Sequence, residues 1–134
     1  MSAGNPKTMT VRRPGGAVRS PEGIANRSFW VEMLLESEID GENTAMRATL
    51  DPGTVTHWHT HPRGQLLYVL SGVGLVQRKG EPAEEVRTGD AIWFAADELH
   101  WHGASADSPF SYLSIQGFEN GRFVDWHDNG EPQP

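Results

Sequence analysis

The chain has 134 residues, no cysteine, six histidines and 11 Lys+Arg against 18 Asp+Glu. That length suits one compact domain rather than a two-domain enzyme, and the lack of thiols excludes a disulfide framework, a thiolate nucleophile and any Cys-held metal. A net charge of −7 argues against phosphate-driven nucleic-acid binding; with no apolar run of the ~18–20 residues a membrane span needs and no secretory pattern at the N-terminus, a cytoplasmic protein without nucleic-acid or membrane partners is expected.

Residues 1–27 carry a net charge of +4 and residues 28–134 one of −11. The first stretch is rich in Gly, Pro, Ser, Asn and Arg and has no apolar period, so a loosely ordered basic arm is expected there, followed by a single domain over 28–134. The arm reads as a solvated tail on an acidic surface, or alternatively as a contact for an anionic partner. From Phe29 onward, strand-length apolar or alternating runs follow one another: Phe29–Leu35, Ala45–Leu50, Leu66–Leu70, Val73–Gln77, Ala91–Phe94 and Phe110–Phe118. Turn chemistry separates them at Asp51-Pro52-Gly53, Pro62-Arg63-Gly64, Ser71-Gly72, Lys79-Gly80-Glu81-Pro82 and Thr88-Gly89-Asp90. The predicted class is all-β, an antiparallel sandwich or barrel. Trp93, Phe94, Trp101 and Phe118 are expected in its core or at a subunit contact.

Five histidines fall in two alternating clusters, His57-Trp58-His59-Thr60-His61 and His100-Trp101-His102. In extended chain, residues i and i+2 point to one face, so each cluster aims its imidazoles together, and a closed barrel can bring the two faces into contact. Crowded imidazoles in an apolar interior need hydrogen bonds or a metal, and converging neutral imidazoles suit a divalent first-row ion. His127, in a polar tail, reads as exposed. Glu84, Glu85, Asp97 and Glu98 read as solvated turn charges.

The run from Gly53 through His59, His61 and Gln65 to Gly72 resembles the first cupin motif, in which a glycine, an HxH pair, a carboxylate and a second glycine recur at those intervals. Pairing His57 with His59 breaks the intervals, so the resemblance selects His59 and His61. A second, eroded motif runs from Gly89 to His100, with Ala95, Asp97 and Ala104 departing from the usual residues. The resemblance therefore implies a double-stranded β-helix, or jelly-roll-type barrel, with metal ligands His59, His61, Gln65 and His100. Gln65 stands where glutamate is usual. A neutral amide leaves a divalent ion with a site charge near +2 instead of +1, which favours Lewis-acid action on an anionic oxygen; alternatively, Gln65 stands beside a three-histidine site.

The segments Trp58–Gln65, Glu84-Glu85, Trp93-Phe94, His100–Ala104, Ile115-Gln116 and Val124–Trp126 are similar to those of the small bacterial cupin hydroxynitrile lyases. That resemblance covers about Ala45 to Trp126. It implies manganese (with iron, nickel and zinc as alternatives), a homo-oligomer such as a dimer or tetramer, and cleavage of (R)-cyanohydrins of the mandelonitrile type to aldehyde and cyanide. Such cleavage needs a base for the hydroxyl proton, and a histidine of near-neutral pKa suits the role. His102 is the candidate catalytic residue, because in extended chain it points with His100 yet lies outside the ligand spacing; it could instead orient a ligand. His57 is a weaker candidate. Met46, Ala48, Tyr112 and Gln116 are candidates to line the substrate cavity, with plain core packing the alternative for Met46. A cupin-type dioxygenase and a non-catalytic, metal- or small-ligand-binding cupin are the competing functions.

Overall fold

The computed structural model describes residues 4–127. Among them there are ten strands and no helix: β1 (Val18–Arg19), β2 (Trp30–Leu35), β3 (Asn43–Leu50), β4 (His59–Thr60), β5 (Gln65–Arg78), β6 (Glu84–Arg87), β7 (Ala91–Phe94), β8 (His100–Ala104), β9 (Phe110–Gly117) and β10 (Asp125–Trp126). Every pairing is antiparallel, and the order is β1-β2-β3-β9-β5-β8-β4-β10, with β6 and β7 also on β5. No helix is long and apolar enough to cross a membrane.

The all-β barrel expected from the alternating runs is what forms, but Ser71-Gly72 is no turn. The two runs it was expected to separate are one 14-residue strand, β5. Its first half pairs with β9 and β7 and its second half with β6 and β8, so one strand carries the chain from one sheet into the other. A register shift between Val69 and Ser71 marks the bend, as bulges do where a sheet turns a corner. Gly72 sits there at φ 82°, and a Cβ would run into the carbonyl of Pro109, so both conformation and space call for glycine.

Inward positions of β3, β5 and β9 divide by depth. Ala48, Leu50, Leu67, Val69, Phe110 and Tyr112 pack a dry core with Val76, Val86, Phe94 and Ala104. Val55, Trp58 and Trp101 form a smaller cluster, in which the Trp101 indole N–H donates to Gln77 Oε1 at 2.7 Å. Phe118 is buried too, whereas Trp93 stands 60% exposed on the outer face. Beyond the core the same strands turn polar: Thr44, Gln65, Ser114 and Gln116 are all buried and face inward.

The residues read as a basic arm supply backbone groups to a sheet edge. Val18 and Arg19 pair with Val31 and Trp30, Ser20 N–H donates to Phe29 O, and Ala25 bridges Thr56. Covering an edge strand in this way satisfies donors and acceptors that would otherwise recruit another chain. Two carboxylates hold the earlier part. Glu42 accepts from Asn5 N–H at 2.7 Å, and Glu32, paired with Arg47, lies close enough to the backbone N–H groups of Gly15 and Gly16 for them to favour its charged form. Glu32 is held below its ordinary value first by the Arg47 hydrogen bond, and Glu42 first by the Asn5 N–H. Groups with lowered pKa stabilise the folded arrangement above the ordinary value and lose that contribution as pH falls through the folded one. The Gly15 and Gly16 amide proton resonances should therefore titrate with a midpoint below pH 4.5, moving toward solvent-exposed shifts on acidification. In Glu32→Gln that transition should disappear, which NMR titration reads directly.

Candidate metal centre

His59 and His100 are register partners across β4 and β8, His61 follows β4, and Gln65 opens β5. One potential ligand atom from each of His59, His61 and His100 lies within 4.8 Å of the others. All three rings present the same nitrogen to the protein: His59 Nδ1 lies 2.8 Å from His57 O, His61 Nδ1 2.7 Å from Phe123 O, and His100 Nδ1 2.8 Å from Glu98 O. A carbonyl can only accept, so each Nδ1 carries the proton and each Nε2 offers a lone pair. Burial is the leading cause that pushes the rings down, His59 well below 6.5, His61 to about 4 and His100 to about 3. They stand neutral at pH 7, as metal ligands must.

The donor set fits a divalent cation. His61 Nε2 is buried without a hydrogen-bond partner. His100 Nε2 lies 2.9 Å from Gln65 Oε1, yet its proton is on Nδ1 and the Gln65 amide nitrogen is spent on Ser114 Oγ at 2.8 Å. Two lone-pair atoms thus face each other, an arrangement a shared cation relieves. Three neutral imidazoles and one amide oxygen suit first-row divalent ions. Phe94 stacks on His100 with ring centroids 3.7 Å apart and planes at 9°, and Trp126 leans on His59 at 4.6 Å.

The site opens into a cavity of about 390 Å³, whose wall includes His59, His61, Gln65 and His102 and, among the described residues, contains no Asp or Glu. Of the expected substrate-lining residues, Met46, Tyr112 and Gln116 face this cavity. Ala48 does not; it is fully buried in the dry core beside Tyr112, one step deeper on the strand than Met46. The Gln116 amide is engaged with the protein, accepting from Ser114 and donating to Thr44. Tyr112 packs edge-on against His102 at 5.2 Å, and burial raises its phenol pKa. His102 is buried, lies at the cavity wall, and has neither ring nitrogen hydrogen-bonded. The side chain of His57 does not join: β4 begins only at His59, and His57 contributes its carbonyl.

The roles of several residues came to light only in three dimensions. Trp126 and Phe123 arrive on a C-terminal strap, held by β10 on β4 and by His127 N–H to Trp58 O. His127 is exposed as expected but not idle, since its Nε2 lies 3.0 Å from Thr60 Oγ1. The signal for Thr44 and Ser114 was their parity: two residues from Met46 and Gln116 on alternating strands, they had to share the inward face.

The ligand choice is tested by metal content. After loading and dialysis, His59→Ala, His61→Ala and His100→Ala should retain only residual manganese by elemental analysis. His57→Ala should remain fully loaded, with circular dichroism confirming the fold of each.

Comparison with known proteins agrees with this geometry. The family described as "Cupin domain" matches residues 46–116. The chain is 46% identical over 123 residues to an (R)-mandelonitrile lyase of Granulicella tundricola, covering 90% of this chain and 94% of that protein. Among solved structures it is similar to a cupin-like protein of Thermotoga maritima, with TM-score 0.78 and 28% identity over 87% of this chain and 89% of that one. It also superposes on the polyketide cyclase RemF of Streptomyces resistomycificus, with TM-score 0.72 and 19% identity over 91% of this chain and 89% of that one; at that identity the likeness concerns the fold alone. A curled antiparallel barrel, three histidines gathered inside it and these matches together place the chain in the cupin family.

Proposed function

We propose that the protein is a metal-dependent lyase that cleaves (R)-cyanohydrins of the mandelonitrile type to an aldehyde and cyanide. The observation that carries this reading is His102, a buried imidazole at the cavity wall with both nitrogens unpartnered, beside a three-histidine group to which it does not belong. Similarity to a mandelonitrile lyase supports the substrate class. His59, His61, Gln65 and His100 would hold the ion, with manganese the first candidate. When bound, the ion supplies Lewis acidity that makes a substrate hydroxyl easier to deprotonate.

The chain's own residues supply the proton path. Burial pushes His102 well below its ordinary value, so it stands neutral with both nitrogens free to take the hydroxyl proton, but as a weak base that needs the bound ion to acidify that hydroxyl. As that proton leaves, the oxygen pair forms the carbonyl, the bond to the nitrile carbon breaks, and its pair departs on cyanide. The imidazolium then returns the proton as hydrogen cyanide leaves. Met33, Met46, Val31 and Phe29 offer an apolar wall for an aryl group, and the apolar lining keeps bulk water from competing.

Self-association belongs to the same proposal. Trp93, Leu66, Ile115 and Ala45 are consecutive register partners across β7, β5, β9 and β3 on the outer face, and the first three are exposed. A second copy covering this rigid apolar row would give the homo-oligomer.

An anaerobic assay of the manganese-loaded protein with racemic mandelonitrile should release benzaldehyde and cyanide and consume the (R) enantiomer first. His102→Ala should lose about 10²–10⁴-fold in rate while keeping its metal. Silence toward several cyanohydrins, together with oxygen uptake on a diketone or flavonol, would instead establish a dioxygenase. Gln65→Glu should keep metal and fold but turn over more slowly, because the added negative charge weakens the Lewis acid; an undiminished rate at full occupancy would refute the charge argument.

A further inference from the structure

An amide is an ambiguous ligand. Its oxygen and nitrogen are nearly the same size, yet one attracts a cation and the other repels it. We propose that Thr44, Gln116 and Ser114 form a directional hydrogen-bond relay that holds the Gln65 amide with its oxygen toward the three histidines. The proposal rests on Gln65 being a metal ligand, and does not depend on which reaction the metal serves.

The sheet register builds the relay. Thr44, Gln116 and Gln65 are direct cross-strand partners on β3, β9 and β5, and Ser114 lies two residues from Gln116 on the same face. All four are buried, so their polar groups must find partners within the row. The direction is set at the Thr44 end by groups that can only accept. Thr44 Oγ1 donates to the backbone carbonyl of Gln116 at 3.3 Å, leaving its lone pair for Gln116 Nε2 at 2.8 Å. The Thr44 carbonyl, 3.5 Å from the same Nε2, favours the same orientation. Gln116 Oε1 therefore faces the other way and accepts the Ser114 hydroxyl at 2.5 Å. Having given its proton, Ser114 Oγ accepts from Gln65 Nε2 at 2.8 Å. The Gln65 oxygen is left pointing at His100 Nε2. Reversing the Gln65 amide would bring Ser114 Oγ–H and Gln116 Oε1 into conflict with it, and the conflict would pass along the row to a carbonyl that cannot donate.

Thr44 thus acts as a positioning residue for Gln65 through two intermediates. A carboxylate at position 65 would not need it, because both of its oxygens accept. The test is a cycle read as Mn²⁺ affinity, by following the free-ion electron paramagnetic resonance signal during titration of the full chain. Thr44→Val keeps shape and removes the hydroxyl; in the Gln65 background it should weaken Mn²⁺ binding about 10–100-fold, the range typical of residues that orient metal ligands. Thr44→Ser should restore binding. Ser114→Ala should weaken it similarly. With Gln65→Glu in place, Thr44→Val should leave affinity unchanged. Equal weakening in both backgrounds would show general damage and overturn the relay, as would unweakened binding in Thr44→Val. If Gln65→Ala binds Mn²⁺ as tightly as the parent, Gln65 is not a ligand and the relay fails for that separate reason.

Discussion

Everything at the mouth of this barrel follows from one requirement: three imidazoles must be neutral, close together and turned so that their Nε2 lone pairs converge. Three N–H groups donated to backbone carbonyls meet it. Two of those carbonyls, of His57 and Glu98, lie two residues before the histidine they serve, within reach of an extended chain. The third belongs to Phe123, 62 residues after His61. That bond ties the C-terminal strap to the metal centre and seats Phe123, Val124 and Trp126 at the cavity wall. Orienting the ligand and building the roof of the cavity are therefore the same event, and loosening one loosens the other.

Placing so many polar groups inside a small barrel is costly unless each is satisfied, at about 1–3 kcal/mol for an unsatisfied buried group. The strand that crosses between the sheets makes satisfaction possible. Because β5 bends at Gly72 and is not cut there, Gln65 begins it beside β9 and Arg78 ends it opposite His100 on β8. The polar row Thr44, Gln116 and Gln65 is then continuous across three strands, while Leu67 and Val69 below it stay in the dry core. Depth along the strand, more than alternation alone, decides what each inward position does. Met46 faces the cavity and Ala48, two residues on, faces the core.

Much of this was legible in the sequence because it is local. Alternation located the main strands, and the resemblance of the intervals around His59, His61, Gln65 and His100 to the cupin motifs singled out residues that the fold brings together. What was hidden depends on partners far along the chain. Ser71-Gly72 has the composition of a turn, and only the approach of Pro109 makes it a bend. Residues 18–27 have no apolar period, yet they pair through their backbone, which composition does not record. His57 has the same alternation as His59 but lies before the strand begins. Thr44 and Ser114 carry no motif, and they matter because register sets them beside two amides.

The distribution of charge completes the physical picture. The body of the chain is strongly acidic, yet among the described residues no carboxylate lines the cavity. Several of its acids pair with basic side chains instead: Glu32 with Arg47, Glu42 with Lys7, Glu85 with Arg87 and Asp125 with Arg122. Asp125 lies near enough to His61 to favour its charged form, against the larger effect of burial, whereas more distant exposed charges are screened over about 8 Å at physiological salt. A cation held only by imidazoles and an amide would keep nearly its full charge for whatever oxygen enters. The replacement of glutamate by Gln65 and the exclusion of other acids from the wall thus act in the same direction. A neutral ligand, however, loses the symmetry of a carboxylate, and an amide must be told which end to present. The same three-strand register that keeps acids out of the row supplies the hydroxyl and amide groups that give that instruction.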